Sequence, residues 1–407
     1  MRMRFAFIFL ALLCALSACG KGSSEAQKQT VTIDAAFVPE NTPASAAAAL
    51  TEAERLCSEK RFAEARRSLY HAMLVYGSSD ALEKAYAFAI EHDPDLTAMP
   101  VQMTVGEDLT QLRKLGGGSS LVYKFLKDKE TVAAFKPFQK RYQSNYRAEI
   151  AAYRLCPVMK CGFDVPVNLP VYFDFDDFSR LYARNSKNPQ KEFKEIIPTR
   201  RSDGSYIVEG TRKSWIPDFA DFPIEFSDIW KPWLNPGVTK EALKAEAVSL
   251  LPEFEKRHAS GKKLVSKLEP HLKGLNLYAL GRQISNLIVF DFLINNWDRF
   301  SGSEKLYGVN CQISHGRFMS IDNGASFSPS AKEKPERHLH EISRFSRLTY
   351  EAIKRFGEWD MYAYLFPNPS QFERAKFEMF QAQCQKFLEY VESCIARNGE
   401  AETFFFE

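Results

Sequence analysis

The 407-residue chain has no block of clustered basic residues: 54 Lys and Arg stand against 51 Asp and Glu, a formal charge of +3. Neutralising a phosphate backbone takes lysines and arginines gathered on one face, so no nucleic-acid partner is expected. After the first sixteen residues there is no apolar run of the ~20 residues that a membrane-spanning helix needs. No Cys-x-x-Cys occurs, and a zinc site is not expected. Gly-x-Ser-x-Gly and His-Glu-x-x-His are also missing, which makes a hydrolase the poorest reading. With 45% hydrophobic and 26% charged residues, the collagen-like, coiled-coil and disordered classes drop out. Aromatic residues are plentiful instead: 33 phenylalanines point to a densely packed interior.

The N-terminus carries an address. Met1 to Arg4 is a short basic segment, and Phe5 to Leu16 is an apolar run of signal-peptide length. It ends in Leu16-Ser-Ala-Cys19-Gly20, which is similar to a bacterial lipobox. The resemblance implies a signal peptide over 1–18 and acylation of Cys19, and Gly20 after it favours the outer membrane. Each buried methylene of an acyl chain adds about 0.8 kcal/mol, so several chains anchor firmly in a bilayer. Six further cysteines remain, an even number suited to an oxidising compartment. Cys156 and Cys161 flank a short stretch with Pro157 inside it and Gly162 beside it, and are expected to pair. Cys384 and Cys394 share a predicted helix, where ten residues rise about 15 Å, too far for a bond.

Residues 19–45 are rich in small polar residues and read as a tether. From 46 to 98 apolar residues recur at helical spacing (Ala53, Leu56, Phe62, Ala65, Leu69, then Leu82, Ala85, Phe88), similar to a tetratricopeptide hairpin. One such pair cannot bury both faces, so it is expected to pack on the next domain. Residues 99–232 look strand-rich. Ser120 to Phe125 and Thr131 to Lys136 alternate around the charged turn Lys127 to Glu130. A helix is predicted over Tyr146 to Leu155, and a second hairpin around Arg201-Ser-Asp-Gly204, with Glu195 to Ile197 before it and Tyr206 to Val208 after it. Residues 233–407 read as helical: Leu277 to Leu293 is apolar all round at its end, the mark of a buried helix, and Gln371 to Arg397 is amphipathic. His338-Leu-His340 reads as a solvated loop.

Four pieces of chemistry follow in order. Leu115-Gly-Gly-Gly-Ser-Ser120 offers backbone N–H groups in a turn that phosphate oxygens can approach closely. Lys136 ends an apolar strand, as a phosphate-binding lysine does. Glu149, thirteen residues on, lies where a helical carboxylate can hold that ammonium. Finally Asp298 ends the buried helix, Asn310 follows it, and Asp322-Asn-Gly324 follows that. Phosphoryl transfer needs one carboxylate to orient the attacking hydroxyl and another to hold metal between phosphates. Each piece alone is an ordinary loop, surface charge or turn; their order and intervals are what point to function.

Over about 100–360 the chain resembles the atypical kinase superfamily of phosphatidylinositol 4-kinases, HipA-type kinases and the secretory-pathway (Golgi casein kinase and four-jointed) kinases. The matching motifs are Phe135-Lys136-Pro137, Glu149-Ile-Ala-Ala-Tyr153, Phe290 to Arg299, and Asp322 to Phe327. Gly204 to Gly210 is similar to the strand that leads into the adenine-binding hinge. The resemblance implies an α+β, two-lobed protein-kinase-like fold, with a strand-rich N-lobe and a helical C-lobe, preceded by the helical hairpin. It implies ATP and Mg²⁺ or Mn²⁺ as cofactors and a hydroxyl acceptor on protein, lipid or glycan. Gly117, Gly118, Ser119, Ser120, Lys136, Glu149 and Glu209 would bind nucleotide, Asp322 and Asn310 metal, and Asp298 would be catalytic. Phe300 and Ser301 stand where the secretory branch has a His pair, so the acceptor class does not carry over. The expected activity is a kinase outside the cytoplasm, on a membrane facing the periplasm or the surface; the alternative is a catalytically silent kinase fold serving as a surface binding module.

Overall fold

The computed structural model describes residues 42–115, 120–141, 143–185, 193–302, 307–367, 369 and 371–406. Three helices open it, α1 (Ala46–Ser58), α2 (Phe62–Tyr76) and α3 (Asp80–Glu91). Ser45 and Ser79 cap α1 and α3 by accepting backbone N–H groups, which is why those helices begin where they do. Their apolar faces join a single core with α4 (Tyr146–Val158) and the C-terminal helices. Tyr86 donates to the carbonyl of Pro157 at 2.9 Å, and Lys160 meets Glu83 at 2.5 Å. The layer is therefore a buttress on the following domain. Gly162, at φ +72°, sits beneath it; a Cβ there would lie 2.4 Å from the Tyr70 hydroxyl.

The strand-rich lobe is a seven-stranded sheet in the order β1 (Val101–Gln102), β5 (Asn168–Asp174), β7 (Tyr206–Ser214), β4 (Glu130–Pro137), β3 (Tyr123–Lys127), β2 (Gln111–Lys114), with β6 (Thr199–Arg200) also on β7. Only β1–β5 is parallel among these pairings. The β3–β4 turn places Asp128 and Lys129 at positive φ, the twist that a two-residue hairpin requires. The second hairpin turns at Gly204, φ +88°, as expected, but its first strand is Thr199–Arg200 rather than 195–197. Ile196 instead bridges to Gln139, its side chain buried in the sheet core.

From Ala220 onward the chain belongs to the helical lobe. β8 (Ala220–Asp221) pairs with β9 (Cys311–Ser314), which pairs with β10 (Arg317–Ser320). The lobes thus exchange within 215–219, ahead of the expected boundary at 232, because Phe222, Phe226 and Trp230 are buried in the large core. That core surrounds α6 (Leu277–Leu293), reached after α5 (Gly261–Leu272), and is closed by α7 (Glu333–His340) and α8 (Gln371–Asn398). His338 and His340 lie on α7, not in a loop: the ring of Phe300 covers His338 at 4.1 Å, and burial draws that segment into the helix. Cys156 and Cys161 form the expected disulfide, while Cys384 and Cys394 on α8 are buried free thiols.

Candidate active site

β4 is exposed near its start and buried on both faces from Ala133 onward, with successive side chains on opposite faces. Phe135 turns into the Phe-rich core of the sheet and stacks on Phe125 at 5.2 Å. Lys136 projects from the other face, toward α4, and is 0% exposed. A lysine so placed keeps its charge only against carboxylates. It has two, Glu149 Oε1 at 2.7 Å and Asp322 Oδ1 at 2.5 Å.

Glu149 stands in the first turn of α4, where the positive end of the helix dipole favours a carboxylate. Asn145 caps that turn, and its own backbone N–H donates to the carbonyl of Gly324 at 3.1 Å. Glu149 Oε2 accepts from the N–H of Asn323 at 3.0 Å, tying the helix to the acidic turn of the other lobe. Its Oε1 also meets Lys213 at 2.9 Å, a residue sequence reasoning passed over. The register pairs Lys136 with Thr211 and Ala134 with Lys213, so both lysines leave the same face of adjacent strands. The alternation Glu209, Thr211, Lys213 was the only signal for it.

Asp322 adopts the left-handed region, φ +53°, which Asp tolerates better than most residues. Its side chain is 44% exposed, so the cluster is sealed on the sheet side and open at this carboxylate. Burial opposes charge on Asp322 and Glu149, but the Lys136 and Lys213 ammonium groups overcome it and hold both carboxyls below the ordinary range. Burial likewise works against charge on Lys136, and the two carboxylates raise it above an ordinary lysine. Gly324 explains the third position of the Asp-Asn-Gly motif: a Cβ there would lie 2.7 Å from Lys136 Nζ and 3.1 Å from the carbonyl of Gln143.

Asp298 follows the end of α6. Ser301 Oγ donates to its Oδ1 at 2.7 Å and Asn310 Nδ2 to its Oδ2 at 3.3 Å, so both carboxylate oxygens are oriented. Turning Nδ2 to Asp298 leaves the Asn310 amide oxygen facing away from that carboxylate. The neighbouring Arg299 is the link between the acidic motifs. Its guanidinium donates to Asp291 Oδ2 at 3.0 Å, to the carbonyls of Asn310 and Ile321, to Ser320 Oγ and to Asn323 Oδ1 at 2.7 Å. Asn310, which holds Asp298, and both neighbours of Asp322, Ile321 and Asn323, are thereby fixed to one buried cation.

Ser120 lies at the same end of the sheet as Lys136. Leu121 beside it donates to Gln139 Oε1 at 2.8 Å, two residues past the end of β4. Gly117, Gly118 and Ser119 lie outside the described residues, as does Cys19. Glu209 is brought to the α4 N-terminus rather than to Lys136: its Oε2 accepts from Thr199 Oγ1 at 2.8 Å and lies 3.7 Å from Arg147. The structure therefore joins Lys136, Glu149 and Asp322 directly, and Asp298 with Asn310 beside them through Arg299.

No family model matches the chain, and no curated protein matches it. Among solved structures it is similar to a crystal structure of the Golgi casein kinase with Mn and ADP bound, at 12% identity and a TM-score of 0.44, over 80% of this chain and 79% of that one. It is also similar to a second crystal structure of the Golgi casein kinase, at 13% identity and a TM-score of 0.44, over 95% and 96% of the two chains.

Proposed function

We propose that the chain is an ATP-dependent phosphotransferase that uses Mg²⁺ or Mn²⁺ and acts on a hydroxyl acceptor outside the cytoplasm. The observation that carries this reading is Lys136, a wholly buried ammonium held between Glu149 of one lobe and the part-exposed Asp322 of the other. Glu149 and Lys213 fix the lysine's position, and Lys136 binds phosphate oxygens. Ser120 and the glycine-rich turn before it cover them with backbone N–H groups. Asp322 and the amide oxygen of Asn310 are all-oxygen donors, the set that hard divalent cations take, and would hold the metal. A metal held there would supply charge neutralisation at the phosphates. Asp298 orients the acceptor hydroxyl; as its oxygen bonds to the γ-phosphorus, the bond to the β–γ bridging oxygen breaks, ADP leaves and the hydroxyl proton passes to Asp298.

Two substitutions test this. Asp322→Ala is expected to abolish metal-dependent nucleotide binding and transfer. Asp298→Ala is expected to keep nucleotide affinity while transfer falls by orders of magnitude. Calorimetric nucleotide binding and labelled-phosphate transfer read the two separately. Unchanged behaviour of both variants, with no transfer by the parent, leaves the silent binding module in place of the enzyme. We further propose that Cys19 is the acylated mature N-terminus and that residues 19–45 tether the domain to the outer membrane. Cys19→Ser then gives protein that no longer partitions with membranes; a parent already soluble, or starting elsewhere than residue 19, refutes the anchor.

A further inference from the structure

Asp218, His271 and His315 lie far apart in sequence and form no spacing motif, yet the structure gathers them on the helical lobe. Asp218 belongs to the connector 215–219 between β7 and β8, His271 to the last turn of α5, and His315 to the turn between β9 and β10. One donor atom from each lies within 4.8 Å of the other two. His271 Nε2 is 3.5 Å from Asp218 Oδ1, and His315 Nε2 is 3.6 Å from Asp218 Oδ2.

Those separations are long for hydrogen bonds, which run to about 3.2 Å. Each histidine faces a different oxygen of the Asp218 carboxylate across a gap of the size that separates ligand atoms around zinc, about 3.4 Å when the bonds are about 2.0–2.1 Å. The scaffold around them is settled: Ser314 Oγ donates to the carbonyl of Asp218 at 2.8 Å, and the N–H of Gly316 donates to the carbonyl of His271 at 2.8 Å. His271 is 4% exposed, so its ring is held in place by the packing around it. Its Nδ1 faces the N–H of His315 at 3.3 Å. A metal on Nε2 puts the ring proton on Nδ1, so metal binding gives up this one hydrogen bond.

We propose that Asp218, His271 and His315 form a site for a first-row divalent transition metal, zinc in the first place. Two imidazoles and one carboxylate suit zinc and do not suit Mg²⁺, which takes oxygen donors. Three protein ligands leave a position for water. The site would clip the connector between the lobes onto the helical lobe, since Asp218 belongs to the one and both histidines to the other. It is independent of the phosphotransferase reading, sharing no residue with it.

The test is equilibrium binding of Zn²⁺, with Mg²⁺ in excess, to full-length protein without a polyhistidine tag. The parent is expected to bind one equivalent that His315→Ala and Asp218→Asn each weaken at least about 100-fold, the upper range for losing even an outer-shell partner. Both residues are exposed, at 77% and 64%, so these variants keep the fold where His271→Ala need not. Zn²⁺ should also raise the melting temperature of the parent and not of His315→Ala. Absence of a bound equivalent in the parent, or its retention at unchanged affinity in both variants, overturns the site.

Discussion

Arg299 and Lys136 are both buried cations with carboxylate partners, and they meet through the same turn, since Arg299 donates to the Asn323 side chain and Glu149 accepts from the Asn323 backbone. Their surroundings differ. Arg299 faces Asp291 with both side chains almost wholly out of solvent, and the rest of its donors end on carbonyls, Ser320 and Asn323. Lys136 is equally buried, but one of its two carboxylates is open to solvent. A closed network has nothing left to bind; it can only hold backbone in place. An open one presents charge that a ligand can take over. The difference separates scaffold from site within one continuous set of hydrogen bonds.

The comparison breaks most visibly in stability. Arg299→Ala leaves Asp291 buried and unpaired, and removing one partner of such a pair costs about 3–5 kcal/mol. Asp322→Ala leaves Lys136 paired with Glu149 and removes a part-exposed carboxylate, so its cost is about 1 kcal/mol or less. Urea unfolding of the two variants measures the contrast; equal losses would mean that the two networks do not differ as described. A finer break comes from Gly324→Ala, which changes no charge. Its Cβ would displace Lys136 Nζ from a 2.7 Å approach, and the backbone of Gln143 and Ser144 blocks other ways out. Nucleotide affinity is expected to fall at least about tenfold, or 1.4 kcal/mol, while circular dichroism stays unchanged.

Much of the open network was legible because it lies on strong local patterns. Lys136 ends an alternating strand, Glu149 opens a helix, and Asp322 precedes the Asn-Gly pair; each motif names its own chemistry. The closed network was half legible, in that Arg299 was noticed at the end of its motif but Asp291 read only as part of a buried helix. Its role depends on α6, β10 and the acidic turn converging, which no window of sequence contains. Lys213 escaped for the same reason: its partner is set by strand register, and a lysine near a strand end is otherwise an ordinary surface residue. The Asp218, His271 and His315 cluster is the extreme case, with gaps too long for any metal-ligand spacing. The hairpin strand placed at 195–197 erred because that run pairs with the segment just after β4, through Ile196 and Gln139, and leaves Thr199–Arg200 to pair across the Gly204 turn.

The smallest expected effect separates the open cluster from the N-terminal helical layer by pH. Glu149 and Asp322 have folded pKa values below the ordinary carboxylate range, so the stability they contribute is complete above that range and is lost only in stronger acid. Lys136 lies above the ordinary lysine value, so its contribution is lost only as pH rises beyond that. The cluster therefore adds no slope to stability between about pH 5.5 and 9. His71 on α2 behaves oppositely: burial, and then repulsion from Arg317, Arg282 and Arg67, push its pKa down to about 3. The unfolded chain binds a proton at His71 near its ordinary value of about 6.5 while the folded chain does not, so stability falls as pH drops below that value. For one such histidine the slope approaches about 1.4 kcal/mol per pH unit only well below that value, and the loss between pH 7 and 5.5 is about 1.3 kcal/mol in all. Unfolding free energies of the parent and of His71→Gln should diverge by about that total between pH 7 and 5.5, with Glu149→Gln parallel to the parent over the same interval. A slope that survives His71→Gln and disappears with Glu149→Gln would assign the acid sensitivity to the cleft and reverse the distinction drawn between the two regions.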